Sequence, residues 1–404
     1  MTAGRQVTLV LCTRDTGVLG ALPPFDVPSP WWRDTTEVVT AARAVHGVEV
    51  VVLRLLSVQT ESIVDGGPVA YLAEVENAPD VPLARWPEDP LADEPLRLAY
   101  ARPGGPQADL AWACDALDRL GIPRTGSPRQ VRTWNLSSIW QLPTAIGPAW
   151  LKVVPPFFAH EGALLSRLDR SVVPELLARS GGRMLLADIA GTDRHDATGA
   201  ELDAMVELLV RLQLTWAGRT DELVRIGVPD WRAAAFVPRA QALFESAVSG
   251  ATGPLDRVEL RALDALVGSL AERYAAVADC GIPDGLFHGD FHPGNVRETA
   301  GRLVLLDWGD SGVGHPLLDQ AAFCERLADS DRVRVLRLWQ QRWRDAVPGC
   351  DPDRAARLLS PVAALRAAVV YQHFLDSIEP DERAYHRHDP NTWLRRAAAV
   401  PTGT

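Results

Sequence analysis

The sequence has no uninterrupted apolar run of about 18 residues, so no membrane span is expected. Its start, Met1-Thr-Ala-Gly-Arg-Gln-Val7, lacks a basic head followed by a long apolar core, so no secretory leader is expected. Cysteine is scarce and scattered: the five (Cys12, Cys114, Cys280, Cys324, Cys350) form no CxxC pair. That argues against a zinc site or disulfide framework and fits reduced thiols in a cytoplasmic protein. There is no low-complexity tract, and no GxxxxGK[ST] phosphate loop. Positive charge is in deficit, with 41 Lys and Arg against 52 Asp and Glu, for a net charge of -11. Such a surface disfavours nucleic acid and anionic membranes as partners. What is present is a chain of 404 residues, 47% hydrophobic, long enough for two or three packed domains. Its 13 Trp, against nine Phe and five Tyr, supply large rings for a core or a pocket.

Residues 6–12 read as a strand, 17–30 as loop, and 34–46 as a helix capped by Asp34 or Thr35 and stopped by Gly47. Strands are expected at 49–56, 68–76 and 96–101, with a polar loop over 77–94. Residues 1–104 thus form a small α+β accessory domain. Its helix, glycine and following strand resemble the core of a Nudix hydrolase. The matching stretch, Thr40-Ala-Ala-Arg-Ala-Val-His46-Gly47-Val48, lacks every carboxylate of that family's metal box, so the resemblance implies no hydrolysis.

A helix over 106–120, with Leu110, Cys114, Leu117 and Leu120 near one face, opens a second region, 105–190. Strands follow at 131–134, 138–142, 149–154 and 183–189, with a helix at 159–168. Helices then dominate 191–397, at 200–215, 233–249, 255–278, 315–328, 332–347 and 352–374. The fold class is α+β, a small sheet-rich lobe before a larger helical one.

Within the helical region stands His288-Gly-Asp290-Phe-His292-Pro-Gly-Asn295, followed by Leu303-Val-Leu-Leu-Asp307-Trp-Gly-Asp310. An Asp, an Asn five residues later and a second Asp ending an apolar run can orient a hydroxyl, take its proton and hold magnesium against a polyphosphate. Taken singly, Asp290 could cap a turn and Asn295 could be a turn residue after Pro293-Gly294. Their spacing favours the chemical reading. Lys152 lies in an alternating strand, where it could face solvent or neutralise phosphates. Glu161 sits near the next helix N-terminus, where a carboxylate is ordinary.

With these segments the chain resembles the aminoglycoside phosphotransferase and choline kinase group of small-molecule kinases, over roughly residues 125–380. The resemblance implies a bilobal, protein-kinase-like fold that uses ATP or GTP with Mg²⁺ between its lobes and phosphorylates a hydroxyl of an aminoglycoside, sugar or amino alcohol. It implies Asp290 as the catalytic residue, Asn295 and Asp307 as metal ligands, and Lys152 with Glu161 at the phosphates. Ser137 and Ser138 would reach the phosphates from the first turn, unless that turn is a plain hairpin. Ala187 and Ile189 would meet the purine by backbone, while Asp310 and Glu325 would face the acceptor. His288 is expected to be a buried structural imidazole and Asp319 a brace for the catalytic region. A nucleotide-binding module without turnover is the alternative, and a homodimer stays open.

Overall fold

Residues 5–13 carry apolar side chains toward both faces, and they form an inner strand, β1 (Arg5–Thr13). In the computed structural model, which describes residues 4–59, 66–325 and 327–400, β1 belongs to the first of two compact units. This unit comprises Met1–Phe157, Leu176–Asp188 and Leu375–Arg387.

β1 pairs antiparallel with β2 (Gly17–Ala21) and β3 (Phe25–Val27) and parallel with β5 (Gly67–Glu74). β4 (Val51–Val58) completes the sheet against β5. Val7, Leu9 and Leu11 of β1 pack on one face with Val38 and Ala42 of α1 (Thr36–His46). Val10 and Cys12 pack on the other with Leu53 and Leu72. Such two-sided burial suits a near-continuous apolar strand. Thr35 is the N-cap residue of α1, without a side-chain capping bond, and Gly47 ends the helix at φ 68°.

Two expectations fail here. Residues 17–30, read as loop from their Gly and Pro, contain β2 and β3, because pairing with β1 overrides weak local propensity. Residues 96–101 contain a 3-10 turn, Ala99–Ala101, instead of a strand. Helix α2 (Gly105–Arg119) forms as expected, with Leu117 buried and Leu110 and Cys114 packed against the core; it also buries Asp109, Ala113 and Ala116, and Leu120, past its end, is exposed. The helix is turned so that Asp109 accepts from Arg183 Nε at 2.7 Å.

A second, wholly antiparallel sheet has the order β6 (Arg129–Trp134), β7 (Ser137–Leu142), β8 (Ala149–Val153), β10 (Arg183–Ala187) and β9 (Leu176–Ser180). β9 was not foreseen. Trp140, Leu142, Leu151 and Leu185 pack beneath α2. Each such apolar side chain contributes roughly 1.5–3 kcal/mol on burial.

The second unit holds Phe158–Glu175, Ile189–Phe374 and His388–Thr404. It opens with the short α3 (His160–Leu165). β11 (Thr192–Asp193) pairs with β13 (Val296–Thr299), which forms a hairpin with β14 (Arg302–Leu305). A separate ribbon joins β12 (Gly285–Phe287) to β15 (Gly312–Gly314). The rest is helical: α4 (Ala200–Trp216), α5 (Thr220–Arg225), α6 (Ala233–Val248), α7 (Arg257–Gly268), α8 (Leu270–Ala278), α9 (Asp319–Glu325), α10 (Asp329–Ala346), α11 (Pro352–Ser377) and α12 (Asp389–Ala399).

The single helix expected over 255–278 breaks at Ser269, where a Gly-Ser pair interrupts it. The helix expected over 315–328 shortens to a 3-10 turn, Pro316–Leu318, and α9; Arg326 lies outside the described residues. Among the described residues α11 alone is long and apolar enough to cross a membrane. Half of that window is buried inside the protein, and the helix also buries Arg366, which is the packing of a core helix.

Candidate active site

The ribbon β12–β15 delivers the chain into His288. Gly289 follows at φ 86°, and a Cβ there would lie 2.0 Å from the Asp310 carbonyl oxygen. Only glycine allows that approach. The turn is held from behind by Asp319, which is 0% exposed. Its Oδ2 accepts from the His288 amide at 2.9 Å and from Gln213 Nε2 at 2.8 Å, and its Oδ1 accepts from the Gly289 amide at 2.7 Å. Burial is the largest influence on Asp319 and leaves its pKa above the usual carboxylate value; the His288 and Gly289 amides and the Arg366 charge work against that rise.

His288 is buried, and burial pushes its imidazole pKa down. Its Nε2 is 2.9 Å from the Leu306 carbonyl, so a neutral ring donates there. This places the first histidine within the loop, as a structural group.

Asp290 is open, its side chain 45% exposed. Asn295 Nδ2 donates to its carbonyl oxygen at 2.9 Å and to its Oδ2 at 3.2 Å. His292 Nδ1 accepts from the Gly294 amide at 3.0 Å, which leaves the neutral ring its proton on Nε2. That Nε2 lies 3.5 Å from Asp290 Oδ2. Sequence reasoning gave His292 no chemical part. Its contact with Asp290 was readable only as a spacing of two residues.

The hairpin β13–β14 returns the chain to the same place, and the Leu306 amide donates to the Asn295 carbonyl at 2.8 Å. Asp307 then adopts φ 61°, a left-handed conformation that Asp tolerates better than most side chains. The Trp308 amide donates to Glu161 Oε1 at 3.2 Å, so α3 anchors the segment after Asp307. Asn295 and Asp307 offer an amide oxygen and a carboxylate, a donor set that fits a hard cation. Among the described residues no group of three or more His, Cys, Asp or Glu could hold a metal ion, so a cation here would need phosphate or water ligands as well.

Asp310 follows directly, and its carbonyl accepts from Arg366 Nη2 at 3.0 Å. Tyr371 of α11 is within electrostatic reach of Asp290, Asp310, Glu325 and Asp389; burial first, then these carboxylates, push its phenol pKa well up. Glu325, at the end of α9, pairs with Arg396 of α12.

Of the remaining expected residues, all but Ile189 belong to the first unit. Lys152 is on β8, the middle strand of the second sheet, opposite Ile139 and Met184. It is the only lysine in the chain, a signal that sequence reasoning passed over. Ser137 and Ser138 are buried, their hydroxyls accepting from Trp134 Nε1 at 3.0 Å and Trp140 Nε1 at 3.1 Å. Ala187 ends β10. The chain passes from the first unit to the second between Asp188 and Ile189.

The model of the phosphotransferase enzyme family known as APH matches residues 140–358, more than half of the chain. The chain belongs to that family. No curated protein matches it. Among solved structures, it is similar to a macrolide 2'-phosphotransferase type I at 15% identity and a TM-score of 0.51, over 69% of this chain and 96% of that one. It is similar to the gentamicin complex of APH(2")-IIa at 14% identity and a TM-score of 0.50, over 72% and 96%. Macrolide 2'-phosphotransferase MphH from Brachybacterium faecium gives 17% identity and a TM-score of 0.48, over 68% and 97%. The first two share the fold: mixed α+β, sheet-rich toward the N-terminus and helical toward the C-terminus. The protein is an APH-like small-molecule phosphotransferase.

Proposed function

We propose that this phosphotransferase moves the γ-phosphoryl group of ATP or GTP to a hydroxyl of a small molecule such as an aminoglycoside, sugar or amino alcohol. The observation that carries the reading is the open carboxylate of Asp290, held by Asn295 Nδ2 and faced by His292 Nε2. Phosphoryl transfer asks the protein mainly to position groups and to balance charge. Asp290 orients the acceptor hydroxyl and receives its proton as the oxygen bonds to phosphorus. The β–γ bridging bond breaks, and its electron pair leaves with the nucleoside diphosphate. Asn295 holds Asp290 in register, and His292 limits its swing. Asn295 and Asp307 are the residues that would hold Mg²⁺, whose charge offsets that of the triphosphate when bound. Lys152 meets the phosphates, and Glu161 fixes the backbone beside Asp307. Ala187 and Ile189 are the residues we assign to the purine, which they would read by backbone. Asp310 and Glu325 are the carboxylates we assign to the acceptor side, within reach of Tyr371. These assignments are supported by the family and by the local geometry of each group.

The test is a coupled assay of diphosphate release over aminoglycosides, macrolides, sugars, amino alcohols and nucleosides, with wild type and Asp290→Asn. The variant should lose about 10²–10⁴-fold in turnover, the range for a proton-accepting group, and still bind Mg-nucleotide in calorimetry. A variant that turns over like wild type removes Asp290 from the role. Wild type that binds nucleotide but phosphorylates nothing returns the chain to a binding module. The lone lysine gives a second handle. Trinitrophenylation of Lys152, followed by peptide mapping, should be slowed by Mg-ADP, and labelling unchanged by nucleotide would remove it from the site.

A further inference from the structure

Arg366 projects from α11 into the core of the second unit and is only 8% exposed. Its guanidinium carbon lies 4.7 Å from the ring centre of Trp231 and 4.6 Å from that of Phe287. Gly312 lets those rings close in, since a Cβ there would stand 2.4 Å from each. Nη2 donates to the Asp310 carbonyl at 3.0 Å, the same oxygen on which Gly289 rests. It is also 3.1 Å from the point where a Cβ on Gly289 would be. The cation therefore bonds the backbone at Asp310 and lies beside Gly289, one residue before Asp290.

Packing does not explain the residue. Nε of Arg366 is buried and has no hydrogen-bond partner among the described residues. A methionine would fill the space between the rings without desolvating a charge, and such replacements are often neutral or stabilising. What only a cation supplies is charge beside Asp290, Asp310 and Asp319, all three of which act on this guanidinium and oppose the lowering of its pKa by burial.

We propose that Arg366 is a positioning residue for phosphoryl transfer: it ties the Asp310 carbonyl against Gly289 and balances the three aspartates, so that Asp290 is held at one place. The inference rests on the phosphotransferase reading of Asp290. It acts through the backbone, so its loss falls on turnover and not on nucleotide affinity.

The experiment compares wild type, Arg366→Met and Arg366→Lys in full-length protein. Three quantities are read: kcat with the best acceptor, KM for nucleotide, and amide exchange over residues 287–291 and 310–312. Arg366→Met should lower kcat about 100-fold, the scale of a 1 Å misplacement, with KM for nucleotide within about twofold and faster exchange in both segments. Arg366→Lys, which keeps the charge, should recover about tenfold of the loss. Unchanged kcat or unchanged exchange in Arg366→Met overturns the proposal, as does a loss confined to KM. Should Arg366→Met not fold, Arg366→Lys decides: kcat about tenfold below wild type with faster exchange in both segments supports the role, whereas kcat unchanged, or lost with exchange unchanged, refutes it. Wild type inactive on every acceptor defeats the functional reading instead, and the exchange data still report whether Arg366 ties the loop.

Discussion

Asp319 in the second unit and Glu382 in the first are both carboxyl groups taken out of water, 0% and 2% exposed. Asp319 is met by three N–H donors at 2.7–2.9 Å and by the charge of Arg366. Glu382, in the segment that returns to the first unit, has among the described residues one donor to its carboxyl, the Leu55 amide at 3.3 Å. Burial, then Glu379, pushes its pKa up to about 8. A protonated Glu382 leaves Arg54 and Arg97 facing Glu379 and Asp381, two cations against two carboxylates. Burial raises both pKa values, but beneath the catalytic loop three N–H donors and a guanidinium work against the rise. Beneath the accessory sheet, burial is arranged to discard a charge. A carboxylate needs donors to remain ionised in low dielectric, and only the first site supplies them.

The widest separation should come from neutralising each group without changing its size. Asp319→Asn puts an NH₂ against backbone amides and leaves Arg366 short of a counter-charge. Breaking a buried charge set of this kind costs about 3–5 kcal/mol. Urea unfolding at neutral pH measures it, and turnover should fall with it because Gly289 loses its anchor. A loss below about 1 kcal/mol would mean that Asp319 is not held as an anion, and the contrast would collapse.

Glu382→Gln should act in the opposite sense and only in one pH range. The folded pKa, about 8, exceeds the ordinary value of 4.5. The unfolded chain therefore releases this proton first, and the group's contribution to stability is lost as pH rises from about 4.5 through about 8. Glutamine keeps the acceptor for Leu55 and removes the titration. The variant should lie close to wild type near pH 5 and exceed it near pH 9 by on the order of 5 kcal/mol, since each tenfold change in a protonation constant is worth about 1.4 kcal/mol. Melting temperatures across that range give the answer. A variant less stable than wild type near pH 9, with the deficit closing toward acid pH, would show that Glu382 is an anion paired with Arg54.

The catalytic segment was legible because its logic is local. Asp290, Asn295 and Asp307 lie within 18 residues of one another, and the hairpin between them closes on itself. Their supports were less legible. Asp319 could be named as a brace only through the family resemblance, and Arg366 sits far along an apolar helix among other arginines, where nothing in the local pattern separates it from a surface charge. The accessory sheet shows the same limit. Its inner strands announced themselves by β-branched runs, whereas β2 and β3 depend on β1 for their pairing. The face of α2 was read in part: Leu110, Cys114 and Leu117 were foreseen, but not Asp109, which is buried and accepts from Arg183, 74 residues away. Sequence periodicity sees apolar side chains and is blind to such partners.

The smallest effect should come from Asp381→Asn. Arg54 is 1% exposed and touches Glu379 at 3.2 Å and Asp381 at 2.8 Å, but the Asp381 side chain is 46% exposed. Water already screens that partner, so its charge should be worth less than about 1 kcal/mol. The asparagine oxygen can still accept from Arg54 Nη1. Glu379, 3% exposed and bonded to Arg97 Nε at 2.9 Å, would then carry the pairing alone. Should Asp381→Asn cost several kcal/mol by urea unfolding, the buried arginine must draw its balance from the surface, which would require Glu379 as well as Glu382 to be protonated. The first unit would then have discarded two buried charges, a sharper contrast with the loop that keeps Asp319.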